Sequence, residues 1–145
     1  MNLLNLVFLL PLAVSKEILF SDFGTPDTFD LPTAEANKVA LQETLALLDA
    51  NDSLIFEAGK TFSLQGGIKA TGLTDVRLVV DGTLKFYDDI DSWPLEEGSD
   101  RVQEAFHFFD FQNVTFTTTD SSAMGTIDGS GLNWWGFPEI GYLVR

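Results

Sequence analysis

The stretch DVRLVVDGTLKF, residues 75–86, decides how this chain reads. An apolar burst, a glycine turn and a second burst follow one another too quickly for a helix, and Leu84-Lys85-Phe86 alternates as a strand does. The same shape returns on either side. Downstream, NVTFTT (113–118) is followed by GTI (125–127); upstream, DSLIF (52–56) is followed by TFSL (61–64). The upstream copy starts about 23 positions earlier, a period that fits one coil of a solenoid in which each coil buries its inward face on the next.

Working outward, SLIFEAG, KTFSLQGG, AFHFFDF and GTIDGSG predict further strands of about three to five residues. Ahead of them, AEANKVALQETLALLDAND places Ala34, Leu41, Leu45 and Leu48 on one helical face and leaves Lys38 and Glu43 for water. Pro32-Thr33 marks the entrance of this single long helix. One helix followed by many short strands predicts an all-β chain, a right-handed parallel β-helix whose first coil the α-helix caps. An antiparallel sandwich needs no leading helix and would show two-residue hairpin turns. The acidic insertion YDDIDSWPLEEGSDRVQE (87–104) interrupts the strand pattern and is expected to be a solvated loop.

The 145 residues suffice for one domain with a real core, and 45% hydrophobic content with 12% aromatic residues excludes a disordered chain. The apolar run from Leu3 to Val14 is too short to span a bilayer, and Ala13-Val14-Ser15 has small-x-small spacing. Residues 1–15 are therefore expected to be a signal peptide, and 16–145 the secreted domain, with no further membrane attachment. No cysteine is present, so such a domain must rely on packing and backbone ladders. The net charge of −14, from 22 acidic and 8 basic residues, leaves nothing to neutralise phosphates and excludes nucleic acid as a partner.

The succession of capping helix, VVDGTLKF, the DDIDSWP insertion, FQNVTF and GTIDGSGLNWWG resembles the N-terminal coils of the polygalacturonase-type glycoside hydrolases, the twenty-eighth sequence family of those enzymes. The resemblance runs from Ala34 to Arg145, and its most specific part is GTIDG-x-G followed by Trp134-Trp135. It implies a pectin-lyase-like parallel β-helix, secretion, a monomer at full length, and hydrolysis of α-linked galacturonan or rhamnogalacturonan with inversion and without a cofactor. Inverting hydrolysis needs two carboxyl groups about 6.5–9.5 Å apart, one protonating the leaving oxygen and one activating water. The family's Asn-Thr-Asp, Gly-His-Gly and Arg-x-Lys motifs are absent, and Asp88-Asp89 lies upstream of the Trp pair, on the wrong side of the pattern. No catalytic residue carries over. The chain accordingly reads as the incomplete N-terminal part of such an enzyme, inactive by itself; a non-catalytic β-helix that binds polysaccharide or serves as a surface module is the alternative.

Trp134 and Trp135 are the candidate substrate-binding residues, since indole rings offer flat apolar faces to sugars. Followed by Gly136, Phe137 and Pro138, the pair could equally plug a gap beside the coil. Asp128, between glycines in GTIDG, reads as a turn residue bonding its own backbone. Asp88, Asp89 and Asp91 lack the spaced pattern of a calcium loop, and no metal site is assigned. His107 has no nucleophile beside it and reads as an outward or hydrogen-bond-satisfied strand histidine rather than a base. Asn51 and Asn113 open N-x-Ser/Thr triplets and are candidate glycosylation sites, with Asn113 also suited to a stacking position at a coil corner. The sequence shows no cluster of Lys or Arg to meet an anionic polymer, which points to a less charged pectin branch or to basic residues elsewhere.

Overall fold

A computed structural model describes residues 14–119 and 122–134; all but the last two residues of the expected signal peptide, and Trp135, lie outside these ranges. Among the described residues, the chain forms β1 (Glu17–Leu19), α1 (Leu31–Ala46), β2 (Ser53–Phe56), β3 (Thr61–Leu64), β4 (Ile68–Thr71), β5 (Arg77–Val80), β6 (Thr83–Phe86), β7 (Phe106–Phe109), β8 (Thr115–Thr117) and β9 (Thr126–Asp128). All sheet pairs are parallel, in three sheets ordered β1-β2-β5-β8, β3-β6-β9 and β4-β7. The fold is thus mostly parallel sheet with one helix, as the sequence predicts. Two strands escaped the sequence reading, β1 and β4, each of which supplies a parallel partner to a strand that was foreseen.

Parallel pairing places like on like. Leu54 pairs with Leu78, which pairs with Phe116; Phe62 pairs with Leu84, which pairs with Ile127. Leu54, Phe56, Phe62, Leu64, Leu78, Leu84 and Phe86 are all buried, each burial being worth about 1.5–3 kcal/mol. Phe20 joins them from the 3₁₀ turn Phe20–Asp22, its ring 5.0 Å from those of both Phe56 and Phe62. Glycine permits close approach between neighbouring stretches of backbone. A side chain at Gly82 would collide with the carbonyls of Glu57 and Lys60, and one at Gly125 with the carbonyl of Val80.

One corner repeats in conformation as well as in position. Asn51, Asp75 and Asn113 all adopt left-handed φ angles of 72°, 53° and 53°, a region that Asn and Asp tolerate better than other side chains. They stack through the backbone, with Asn51 N–H donating to Asp75 O at 2.7 Å and Asp75 N–H to Gln112 O at 2.9 Å. The Asn113 amide donates to Asp75 Oδ1 at 2.8 Å.

Helix α1 starts at Asp30, whose carboxylate accepts from Thr33 N–H at 2.8 Å. Its buried face is Ala34, Asn37, Leu41, Thr44 and Leu45, so two polar residues complete a stripe that the leucines alone leave broken. Asn37 donates to Thr25 O and Ser63 O, both at 2.9 Å, and accepts from Thr25 N–H at 2.7 Å, binding helix, lead-in and β3 together. Lys38, expected in water, is half-buried against the sheet.

The insertion also departs from the expected solvated loop. Trp93 is buried, its indole donating to Gln103 O at 2.8 Å and lying 6.0 Å from Phe86. Leu95 and Val102 form an antiparallel bridge, and Gln103 donates to Leu95 O at 2.7 Å. The acidic residues surround one apolar anchor that covers the β6 end of the core.

Two carboxylates fasten the ends of β2 to the segments beside it. Asp52, 1% exposed, accepts from Lys16 N–H at 2.8 Å and Asp49 N–H at 2.9 Å, and the first of these bonds leads in holding its pKa below the ordinary value. Burial opposes the charge of Glu57, yet hydrogen bonds from Lys60 and Ser21 outweigh it and lower its pKa.

Gly125→Ala is expected to cost about 1–3 kcal/mol of stability through backbone displacement, read as a lower urea midpoint at unchanged slope. Because Asp52 and Glu57 titrate below their unfolded values of about 3.9 and 4.3, their stabilisation is complete above those values and is lost as pH falls through the depressed ones. Urea midpoints measured from pH 6 to 2.5 should fall most steeply below about pH 4, and Asp52→Asn should flatten that fall.

Candidate functional site

The outward positions of the sheets carry the polar chemistry, because inward positions are committed to the core. Glu17, Ser53, Arg77 and Thr115 form one outward row across β1, β2, β5 and β8. With Asn51, Asp75 and Asn113 at the corner, they line a groove of about 400 Å³. Asn51 and Asn113, the two candidate glycosylation sites, are therefore both exposed and both part of this corner. Asn113 takes the stacking position, its amide engaged by Asp75.

On the sheet of β3, β6 and β9, the outward row is Ser63, Lys85 and Asp128. Lys85 Nζ lies 4.5 Å from the centre of the Phe29 ring and 4.0 Å from Asp128 Oδ2. Asp128 Oδ1 accepts from Ser130 N–H at 2.8 Å, two residues on, while Ser130 turns with φ 48°. That is the turn function expected of an Asp between glycines.

Trp134 follows the 3₁₀ turn Gly131–Asn133 and meets Trp93 edge to face, with ring centres 5.2 Å apart at 81°. Trp134, Trp93, Phe86, Val102 and Ala105 line an apolar cleft of about 250 Å³ whose other walls include Gly129 and Gly131. The ring is partly buried against the core and open to the cleft on the remaining side. Packing and an exposed aromatic face thus coexist at Trp134. Trp93 was missed as its partner because the acidic residues around it masked a core anchor.

On the third sheet, β4 alternates Ile68 and Ala70 inward with Lys69 and Thr71 outward, and β7 sets His107 and Phe109 beside that outward pair. His107 stacks on Phe109 with centres 4.0 Å apart and planes at 22°, and its Nδ1 lies 3.4 Å from Glu104 Oε2. It is an outward strand histidine without a nucleophile in hydrogen-bond contact. Among the described residues, no three His, Asp or Glu side chains converge as a metal site would require, and no helix is long and apolar enough to cross a membrane.

Against known proteins, the chain is 26% identical over 93 residues to an exopolygalacturonase of Cochliobolus carbonum. The match covers 63% of this chain and 20% of the relative, so the chain spans about a fifth of that protein's length. No family model matches the chain, and no solved structure does. The relationship is distant and supports a polygalacturonase-like ancestry at most.

Trp134→Ala should leave the fold intact, at a cost of about 1 kcal/mol for a partly buried aromatic pair. Trp93→Ala should cost about 3–5 kcal/mol for a buried anchor. Thermal unfolding of the two variants, compared with the parent, reads that difference.

Proposed function

We propose that this chain is the N-terminal portion of a secreted, inverting glycoside hydrolase acting on pectin, built as a right-handed parallel β-helix with residues 1–15 as its signal peptide. The observation that carries the reading is the distant likeness to an exopolygalacturonase, joined to three parallel sheets whose strands recur in the same order. Polygalacturonan and rhamnogalacturonan are the substrate classes, with Trp134 at the apolar cleft as one sugar-stacking candidate and Trp135, outside the described residues, as the other.

The 145 residues carry an Asp-Asp pair only out of the family's place and none of its Asn-Thr-Asp motif, so the two carboxyl groups of inversion would come from further coils of the same polypeptide. That absence also favours the second reading, a non-catalytic module that binds polysaccharide. Reducing-end release from polygalacturonan and rhamnogalacturonan separates the two. The polypeptide read through its whole gene should release sugar with inverted anomeric configuration, and residues 16–145 alone should release none. Failure of the whole gene product to cleave either polymer overturns the hydrolase.

A further inference from the structure

An acidic protein leaves few cations unmatched, and the unmatched ones are informative. Lys16 lies 2.7 Å from Asp49, Lys60 2.6 Å from Glu57, Lys85 4.0 Å from Asp128 and Arg101 3.9 Å from Glu96. Among the described residues, Lys38, Lys69 and Arg77 have no carboxylate at such range. Arg77 stands in the polar groove already described. Lys38 of α1 and Lys69 of β4 are near enough for the charge of one to act on the other.

That nearness follows from how α1 packs on β4. Gln42 Oε1, one helical turn beyond Lys38, accepts from Lys69 N–H at 3.1 Å. The Lys38 ammonium reaches Gly67 at the head of β4, lying 3.2 Å from where a side chain would begin there. Burial lowers the pKa of Lys38, and the Lys69 charge lowers it further, with Glu35 opposing only in part. Beyond Lys69 the face continues into the stacked His107 and Phe109 rings, and Phe109 is 42% exposed. Carboxylates beside these residues include Glu35, which acts on Lys38, and Glu104, which is directed to His107.

The geometry points to the outer face of β4 and β7 as a subsite for one uronate unit of a polysaccharide, with its carboxylate between Lys69 and Lys38 and its ring against Phe109. The Lys38 and Lys69 charges oppose each other, and a carboxylate bound beside them relieves that repulsion. Attraction here is local, since the molecule as a whole repels an anion, so salt must weaken it. A sugar ring has one apolar face, which an exposed aromatic ring complements. The subsite rests on the pectin reading above and adds to it the place where the acidic sugar is held.

Calorimetric titration of the full chain with an α-1,4-linked galacturonate trimer, and with its fully methyl-esterified form, tests it. The acid trimer should bind, and the ester at least tenfold more weakly. Lys69→Ala and Phe109→Ala should each weaken the acid trimer about tenfold, Lys69→Arg should retain most of the binding, and 0.5 M sodium chloride, on the order of a Debye length of a few ångströms, should weaken it. Arg77→Ala, a cation outside the face, should leave binding unchanged, and thermal unfolding verifies that each variant folds. No binding by the parent chain, equal binding of acid and ester, or undiminished binding by Lys69→Ala overturns the subsite. Lys69-dependent binding by a polypeptide whose whole gene product cleaves no pectin would keep the subsite and sink the hydrolase. Cleavage without Lys69-dependent binding would do the reverse.

Discussion

In-register pairing between successive parallel strands is the constraint from which the rest follows. Once Ser53 lies beside Arg77 and Arg77 beside Thr115, every inward residue meets an inward residue and every outward one an outward one. A slip of one position would exchange the Leu54, Leu78 and Phe116 row with the Ser53, Arg77 and Thr115 row. The left-handed residues Asn51, Asp75 and Asn113 mark where the chain enters β2, β5 and β8, and the bare backbone at Gly82 and Gly125 lets neighbouring segments approach. Core, corners and surface rows are consequences of one register.

Charge is distributed around that register by use. Asp30 caps the helix, Asp52 collects backbone N–H groups at the start of β2, Glu57 clamps Ser21 and Lys60, and Asp128 closes a turn. Many of the 22 acidic side chains are thus structural or solvating, and the net charge by itself says little about the ligand. The few unmatched cations say more, because an ammonium without a carboxylate is unusual in such a surplus of carboxylates.

The repeats exposed seven of the nine described strands, since each carries consecutive β-branched, leucine or aromatic residues between turn signals. The strand β4 reads as Ile-Lys-Ala-Thr between glycines, with too little apolar weight of its own; it is a strand because β7 pairs with it and α1 covers it. The strand β1 is three residues long and gains its order from β2. Asn37 and Thr44 were illegible as buried helix positions because their burial depends on partners at Thr25 and Ser63 and on a bond back to Ala40, rather than on hydrophobicity. Trp93 was hidden for the converse reason, an apolar side chain in an acidic neighbourhood. Of the candidate site, the turn function of Asp128 and the corner position of Asn113 could be read locally, from an Asp between glycines and an Asn opening a strand.

The sequence by itself determined the strand class, the single helix, the turns and the likeness to polygalacturonases, because spacing, glycine placement and side-chain type act over a few residues. Only the tertiary structure decided that Trp93 and Trp134 share a cleft and that the charges of Lys38 and Lys69, far apart in the linear chain, act on each other. Those two lysines belong to different elements, a helix and a strand. No local pattern encodes their proximity; the packing of α1 over β4 creates it, and with it the repulsion that a carboxylate could relieve.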